Sequence, residues 1–425
     1  MEMTLGSAFA RSSRKYPEKI ALRDDSKVIN YRFLNERVNR MAHGLQAIGV
    51  DKGTRVATLS NNCISLAETY LANLKLGAVT VPLVAREIPQ EIIRQSRVAR
   101  VQYLLFHSDF SEVAHEVCQN LPGIKQPIAF GCEIPGFALS AESLIQRGSA
   151  REPDEKVKEA DDAFILFTGG TTGKPKGALL THKNIIWNII CKVSENHFPY
   201  PEDIIYYPMQ MYHSAALVRM LSFMYAGGTF IMSAAFEPEK FMAMIERERI
   251  TCVVGNSTIW TMLLEAQNTY PFETASVRIW LHSQGPLERE LRKEIETFLF
   301  PKGQLYITYA LTEASPSVSV LRPWDSPCQW DSVGRPYICN EVKIADPFDE
   351  RELDTGEVGE ILVRGPSIMK RYYGNPKESR KALRGGWLHT GDLGKYDERG
   401  YLYVVDRLKD MIKSGGINIY SREIE

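Results

Sequence analysis

The sequence predicts an α/β fold with two βαβ-type sub-domains whose sheets are covered by helices, residues 1–160 and 161–320, followed by a small β-barrel sub-domain, 321–408. Three observations predict it. The chain has 425 residues, too many for one hydrophobic core and few enough for two or three. Short β-prone runs alternate with helical periodicity up to about residue 320, the order that parallel sheets require. Beyond that point the pattern changes to short strands separated by Gly, Pro and Asp turns, including "EVKIAD", "GEILVRG" and "YLYVVDR", as in a small antiparallel barrel or sheet.

The elements follow in order. Leu34, Val38, Met41, Leu45 and Ile48 fall at helical spacing, and Gly49 stops the helix. A strand over 56–59, a helix over 63–76 and strands over 78–83 and 101–106 make the first βαβ order. The charged, turn-rich stretch 145–162, "IQRGSAREPDEKVKEADD", reads as a linker. Strands resume near 163–167, 204–208, 228–232, 251–255, 277–282 and 304–308, with helical patterns between most of them.

Composition narrows the function. A net charge of -1 leaves no electrostatic footprint for nucleic acid or an anionic membrane, so the expected partner is a small molecule. No apolar run approaches the roughly 18 residues of a transmembrane helix, and the N-terminal stretch lacks a signal-peptide core, which makes the cytoplasm the default location. The seven cysteines are scattered singly with no C-x-x-C pair and read as reduced thiols.

The most informative stretch is "FTGGTTGKPKGALLTH", 167–182, which continues the β-prone run "AFILF". Glycines let backbone N–H groups approach an anion, threonine hydroxyls donate to it and lysines supply charge, so the loop suits a polyphosphate. It is not a Walker A loop, because Thr168 stands at the first Gly position and Pro175 follows Lys174.

This stretch resembles the signature loop of the adenylate-forming superfamily, which includes acyl-CoA synthetases, aryl-CoA ligases, peptide-synthetase adenylation domains and luciferases. It departs from the usual form in carrying Gly169 where Ser is common. Six further motifs follow in family order: "MYHSAA" (211–216), "SQGPL" (283–287), "YALTE" (309–313, with Ala310 for the usual Gly), "SVGRP" (332–336), "GWLHTGD" (386–392) and "DRLKDMIKSGG" (406–416).

The resemblance implies two half-reactions, using ATP, Mg²⁺ and coenzyme A. A carboxylate displaces pyrophosphate from ATP to give acyl-AMP, and a thiol then displaces AMP. It assigns Thr168, Gly169, Gly170, Thr171, Thr172, Gly173 and Lys176 to the phosphates, with Lys174 at a position that varies in the motif. Thr312 is assigned to the α-phosphate, and Glu313 to orienting Mg²⁺, since a hard cation prefers a carboxylate. Ser283, Gln284, Gly285, Pro286, Tyr309, Ala310 and Leu311 are assigned to the adenine slot. Asp392 would accept from the ribose hydroxyls, and Arg407 would reach the ribose or the phosphate.

His213 is implied to border the acyl pocket near the reacting carboxylate, with Met211, Leu217 and Trp260 as apolar pocket candidates. Amino-acid-activating relatives carry an Asp in this segment to pair with the α-ammonium group. His213 supplies no such anion, which favours a simple fatty, alicyclic or aryl acid. Lys409 resembles the hinge before a small C-terminal lid domain, of which 409–425 would be only the start of a truncated copy. Lys413 resembles a lid residue lining the thiol tunnel. An acid:CoA ligase is the leading reading. Loading of a carrier protein's phosphopantetheine and a nucleotide-binding protein without activity are the alternatives, and a homodimer is left open.

Overall fold

The computed structural model describes residues 2–168, 175–325 and 331–410, and the backbone of strands Ile412–Ser414 and Ile417–Ile419. It divides into two compact units: Met1–Glu237 with Met369–Pro376, and Pro238–Ile368 with Lys377–Glu425.

In the first unit a helix over Tyr31–Ala47 forms where the apolar spacing predicts one. Asn30 caps it by accepting from the Phe33 N–H, and Leu34, Val38, Met41 and Leu45 are buried. The next helix, Ile64–Leu76, is buried on nearly every face. It ends at Gly77, whose φ of +69° is open to glycine at little cost. The main sheet has eight strands in the order Arg371–Tyr372, Lys176–Thr181, Asp162–Thr168, Val79–Pro82, Arg55–Leu59, Tyr103–His107, Gln126–Phe130, Leu139–Ser140. The last six are mutually parallel. Asp162–Thr168 and Lys176–Thr181 form an antiparallel hairpin, and Arg371–Tyr372 returns to cover its edge. The same unit holds parallel strands Ile204–Tyr207, Thr229–Met232 and Ile20–Arg23, with Val28–Asn30 antiparallel at the edge.

The stretch expected as a linker between sub-domains lies inside this first unit. Its carbonyls and carboxylates are bound to these two helices and to the turn that follows the first of them. Arg40 donates to the Gly148 carbonyl (2.9 Å), Asn39 to Ala150 (2.9 Å) and Lys52 to Lys156 (3.1 Å). The buried Lys75 ammonium donates to Asn35 Oδ1, Asn39 Oδ1 and Glu152 Oε2, each at 2.6 Å. A run of charge therefore acts as a strap, because its partners are polar groups that sequence spacing does not reveal.

In the second unit, parallel strands Cys252–Gly255, Ile279–His282 and Gln304–Ala310 continue antiparallel into Ser317–Leu321 and Arg335–Pro336. Among the described residues, the expected barrel is a four-stranded antiparallel sheet, Glu341–Ala345, Gly359–Arg364, Leu388–Tyr396 and Leu402–Arg407, with the first and last at its edges. No helix among the described residues is long and apolar enough to cross a membrane.

Candidate active site

The signature stretch belongs to the hairpin of the first unit. Thr168 and Lys176 are cross-strand partners at the end where the loop joins the two strands, and the Thr168 hydroxyl donates to the Lys176 carbonyl at 3.4 Å. Lys176 Nζ sits 5.6 Å from the centroid of the Tyr372 ring, a cation–π contact supplied by the returning strand. Gly177 is a packing requirement, since a Cβ there would lie 2.6 Å from Ile165 Cγ2. The loop positions Gly169, Gly170, Thr171, Thr172, Gly173 and Lys174 lie outside the described residues.

His213 ends the segment that leaves strand Ile204–Tyr207 and immediately precedes helix Ser214–Ala226. Two amides that the sequence did not single out hold this segment. Asn62 Nδ2 donates to the Met209 carbonyl (2.9 Å), and Asn62 Oδ1 accepts from the Met211 N–H (2.8 Å). Gln210 donates to the Ala234 carbonyl (2.7 Å) and accepts from the Asn62 N–H (3.1 Å). The His213 ring lies 4.7 Å from that of Tyr212. Its pKa is lowered by the surrounding protein, and further by the Arg86 cation. Met211 and Leu217 are fully buried in the first unit.

In the second unit Tyr309, Asp392 and Arg407 meet. Asp392 and Arg407 are cross-strand partners in the antiparallel sheet, and Arg407 Nε reaches Asp392 Oδ1 at 2.7 Å. The Tyr309 hydroxyl donates to Asp392 Oδ2 at 2.6 Å. Burial and the adjacent carboxylate hold the Tyr309 pKa well above its ordinary value, so the phenol keeps its proton and remains a donor. Asp392 is itself buried, and its backbone is fixed by neighbours: its N–H donates to Thr390 Oγ1 (3.0 Å), and that hydroxyl donates to the Ile361 carbonyl (2.7 Å). Glu360, also buried, accepts from the Gly391 N–H (3.0 Å) and pairs with His389 Nδ1 (2.9 Å).

The predicted adenine segment is a strained turn. Gln284 and Gly285 have φ of +67° and +111°, the first in a region that a side chain rarely adopts. His282 holds it. The buried imidazole accepts from Trp260 Nε1 at Nδ1 (3.1 Å), so Nε2 carries the proton and donates to the Gly285 carbonyl (3.0 Å). The Ser257 hydroxyl donates to the Pro286 carbonyl (2.8 Å). Burial lowers the His282 pKa and favours this neutral form. Trp260 is fully buried, edge-on to Trp280 and Phe300. No sequence spacing links Trp260 to His282.

Strand Gln304–Ala310 bulges between Tyr309 and Ala310, and a single helical turn, Thr312–Ala314, follows Leu311. Ala310 continues the strand, so the position where the family usually has Gly requires no glycine conformation here. Thr312 and Glu313 are half-buried. Among the described residues no three His, Cys, Asp or Glu side chains gather into a metal cluster. Lys409 lies in the turn after Leu402–Arg407, its Nζ 3.8 Å from Asp410 Oδ1. Lys413 falls in a short hairpin of which only the backbone is described.

The family model for AMP-binding enzymes matches residues 9–373. A feruloyl-CoA synthase from Amycolatopsis sp is 34% identical over 99% of this chain and 82% of its own length. A long-chain-fatty-acid–CoA ligase from Mycobacterium tuberculosis, FadD13, is 30% identical over 93% of this chain and 77% of its own. Among solved structures, the o-succinylbenzoate CoA synthetase (MenE) of Bacillus subtilis, in complex with its acyl-adenylate intermediate, superposes with a TM-score of 0.87 at 27% identity, covering 100% of this chain and 82% of that one. A Mycobacterium tuberculosis fatty acyl CoA synthetase gives a TM-score of 0.89 at 26% identity, covering 99% and 82%. The chain belongs to the AMP-binding enzyme family, as an adenylate-forming enzyme of the acyl-CoA synthetase type.

Proposed function

We propose that this enzyme activates a fatty or aryl carboxylic acid with ATP and transfers the acyl group to coenzyme A. An acid oxygen attacks the α-phosphorus and pyrophosphate leaves. The coenzyme A sulfur then attacks the acyl carbon, the bond to the phosphate oxygen breaks and AMP leaves, with the thiol proton lost to solvent. The observation that carries the reading is the buried Asp392 carboxylate, held by Tyr309 and Arg407 on one oxygen each. Each oxygen keeps a lone pair for a ribose hydroxyl, and a carboxylate fixed beforehand binds without a reorganisation cost.

Thr168 and Lys176 at the hairpin end, with the loop between them, are assigned to the β- and γ-phosphates. The Ser283–Pro286 turn, with Tyr309, Ala310 and Leu311, is assigned to adenine, and Thr312 to the α-phosphate. The donor set suits Mg²⁺: that ion takes one or two carboxylates and completes its shell with water and phosphate oxygens, and Glu313 would supply a carboxylate. When bound, it would offset the charge of the phosphates. His213 is placed beside the reacting carboxyl. Names of relatives that include feruloyl-CoA synthase and long-chain-fatty-acid–CoA ligase favour the thiol of coenzyme A over that of a carrier protein. A cytoplasmic location belongs to the same proposal.

The test is pyrophosphate release across a panel of aryl and fatty acids for the wild type and Glu313→Ala. The variant is expected to lose a factor on the order of 10² or more, the scale of one electrostatic contributor. Unchanged release at saturating Mg²⁺ would remove Glu313 from the assignment.

A further inference from the structure

Helix Ser214–Ala226, which starts directly after His213, is apolar along its length and carries one charged residue, Arg219. That side chain is buried, at 7% exposure, and its Nε and Nη1 have no hydrogen-bond partner. Its guanidinium lies 5.4 Å from the centroid of the buried Phe198 ring, and its charge opposes the rise that burial imposes on the Tyr207 pKa. Tyr207 is the last residue of strand Ile204–Tyr207, which runs parallel to Thr229–Met232. In parallel sheets ligands gather beyond the carboxyl ends of the strands; His213 follows this strand end, and Tyr207, one neighbour of Arg219, closes it.

Burying guanidinium N–H groups without acceptors is costly, more so than removing the group altogether. An arginine whose buried Nε and Nη1 donate to nothing is explained by an acceptor that arrives with the substrate. Resting on the acid-activation reading above, we propose that Arg219 is a specificity-determining residue that holds an oxygen at the far end of the acid. Arg219 lies six positions beyond His213, a helical rise of about 9 Å. The acid therefore carries a phenolic or second carboxylate oxygen at about that distance from its reacting carboxyl group. An aryl acid with a para oxygen and a medium-chain dicarboxylic acid both satisfy the spacing, and a plain alkanoic acid does not.

Non-hydrolysable acyl-sulfamoyl adenosines test this by calorimetry, in two matched pairs: cinnamoyl against 4-hydroxycinnamoyl, and octanoyl against 7-carboxyheptanoyl. In at least one pair the wild type is expected to bind the oxygen-bearing member at least about tenfold more tightly, as sites built around a polar group do. The favoured pair identifies whether the oxygen is phenolic or carboxylate. Arg219→Met should bring that pair to within about threefold while leaving the apolar member's affinity as it was, and Arg219→Lys should fall between. Without ligand, Arg219→Met should melt at or above the wild-type temperature, because an uncompensated charge has gone. Equal wild-type affinities within both pairs overturn the proposal without any variant, and so does an Arg219→Met protein that melts lower or weakens all four compounds alike. Failure of the wild type to bind any of the four overturns the adenylate reading itself.

Discussion

Asp392 has a neighbour for each of its oxygens, and this makes it sensitive to small chemical change. Asn in its place would offer one acceptor and no charge to the Tyr309 phenol, the Arg407 guanidinium and a ribose together. Calorimetric titration with AMP should show Asp392→Asn weaker by roughly 1.5 to 3 kcal/mol, the range for hydrogen bonds to charged groups. Affinity equal to wild type would mean that the ribose lies elsewhere. Much of this neighbourhood is legible from motifs, since Tyr309, Asp392 and Arg407 each sit in a recognisable string and the fold brings them together. Glu360 and His282 were not legible. Each acts through a backbone group of the segment it supports, and nothing in "GEILVRG" or "IWLHSQ" says which turn will lie opposite.

Among the elements, the junction of helix Leu5–Lys15 with helix His182–Asn196 shows how burial of one ring couples structure to pH. Thr181 caps the later helix in a capping box with Asn184, and the adjacent His182 is fully buried with Nδ1 accepting from the Leu5 N–H at 3.2 Å. Burial lowers its pKa to about 4. A base whose pKa falls on folding takes up its proton more readily in the unfolded chain. Above pH 6.5 neither state is charged and nothing is lost. Between about pH 6.5 and pH 4 the unfolded state gains, by about 3 kcal/mol across the window. Melting curves of His182→Gln should therefore decline less steeply over that range than wild type, whatever the variant's stability at pH 7.5. An identical acid limb would assign the acid sensitivity to other groups. The helix over Tyr31–Ala47 was readable because its apolar residues repeat at helical spacing. Strand Gln126–Phe130, and the strand Lys176–Thr181 that completes the hairpin with Asp162–Thr168, carry no such alternation, because buried strands in a helix-covered sheet are apolar on both faces.

For the molecule as a whole, the strap changes the expected pattern of proteolysis. Residues 147–158 contain four lysines and arginines, Arg147, Arg151, Lys156 and Lys158, and read as an exposed cleavage site. Yet their backbone is bound to Arg40, Asn39 and Lys52, and Glu152 to Lys75. Trypsin under native conditions should spare this stretch, and Lys75→Met should make it one of the first sites cut, as shown by N-terminal sequencing of the fragments. Early cleavage there in the wild type would show that the strap opens readily. The division at residue 237 and the return of 369–376 were not readable either, because a two-residue strand gives no periodic signal and its partner is fixed by three-dimensional proximity alone.

That return has a consequence during synthesis. Strand Lys176–Thr181 obtains its second neighbour only when Arg371 and Tyr372 have been translated, roughly 190 residues later, and at about 5 to 20 residues per second the ribosome needs roughly 10 to 40 s to supply them. Through that interval the nascent chain presents an uncovered strand of "KGALLT", with free backbone donors and acceptors, to every other nascent chain on the same messenger. Closely spaced ribosomes would thus hold several copies of the same sticky edge side by side, and slow codons between 181 and 371 would lengthen their exposure.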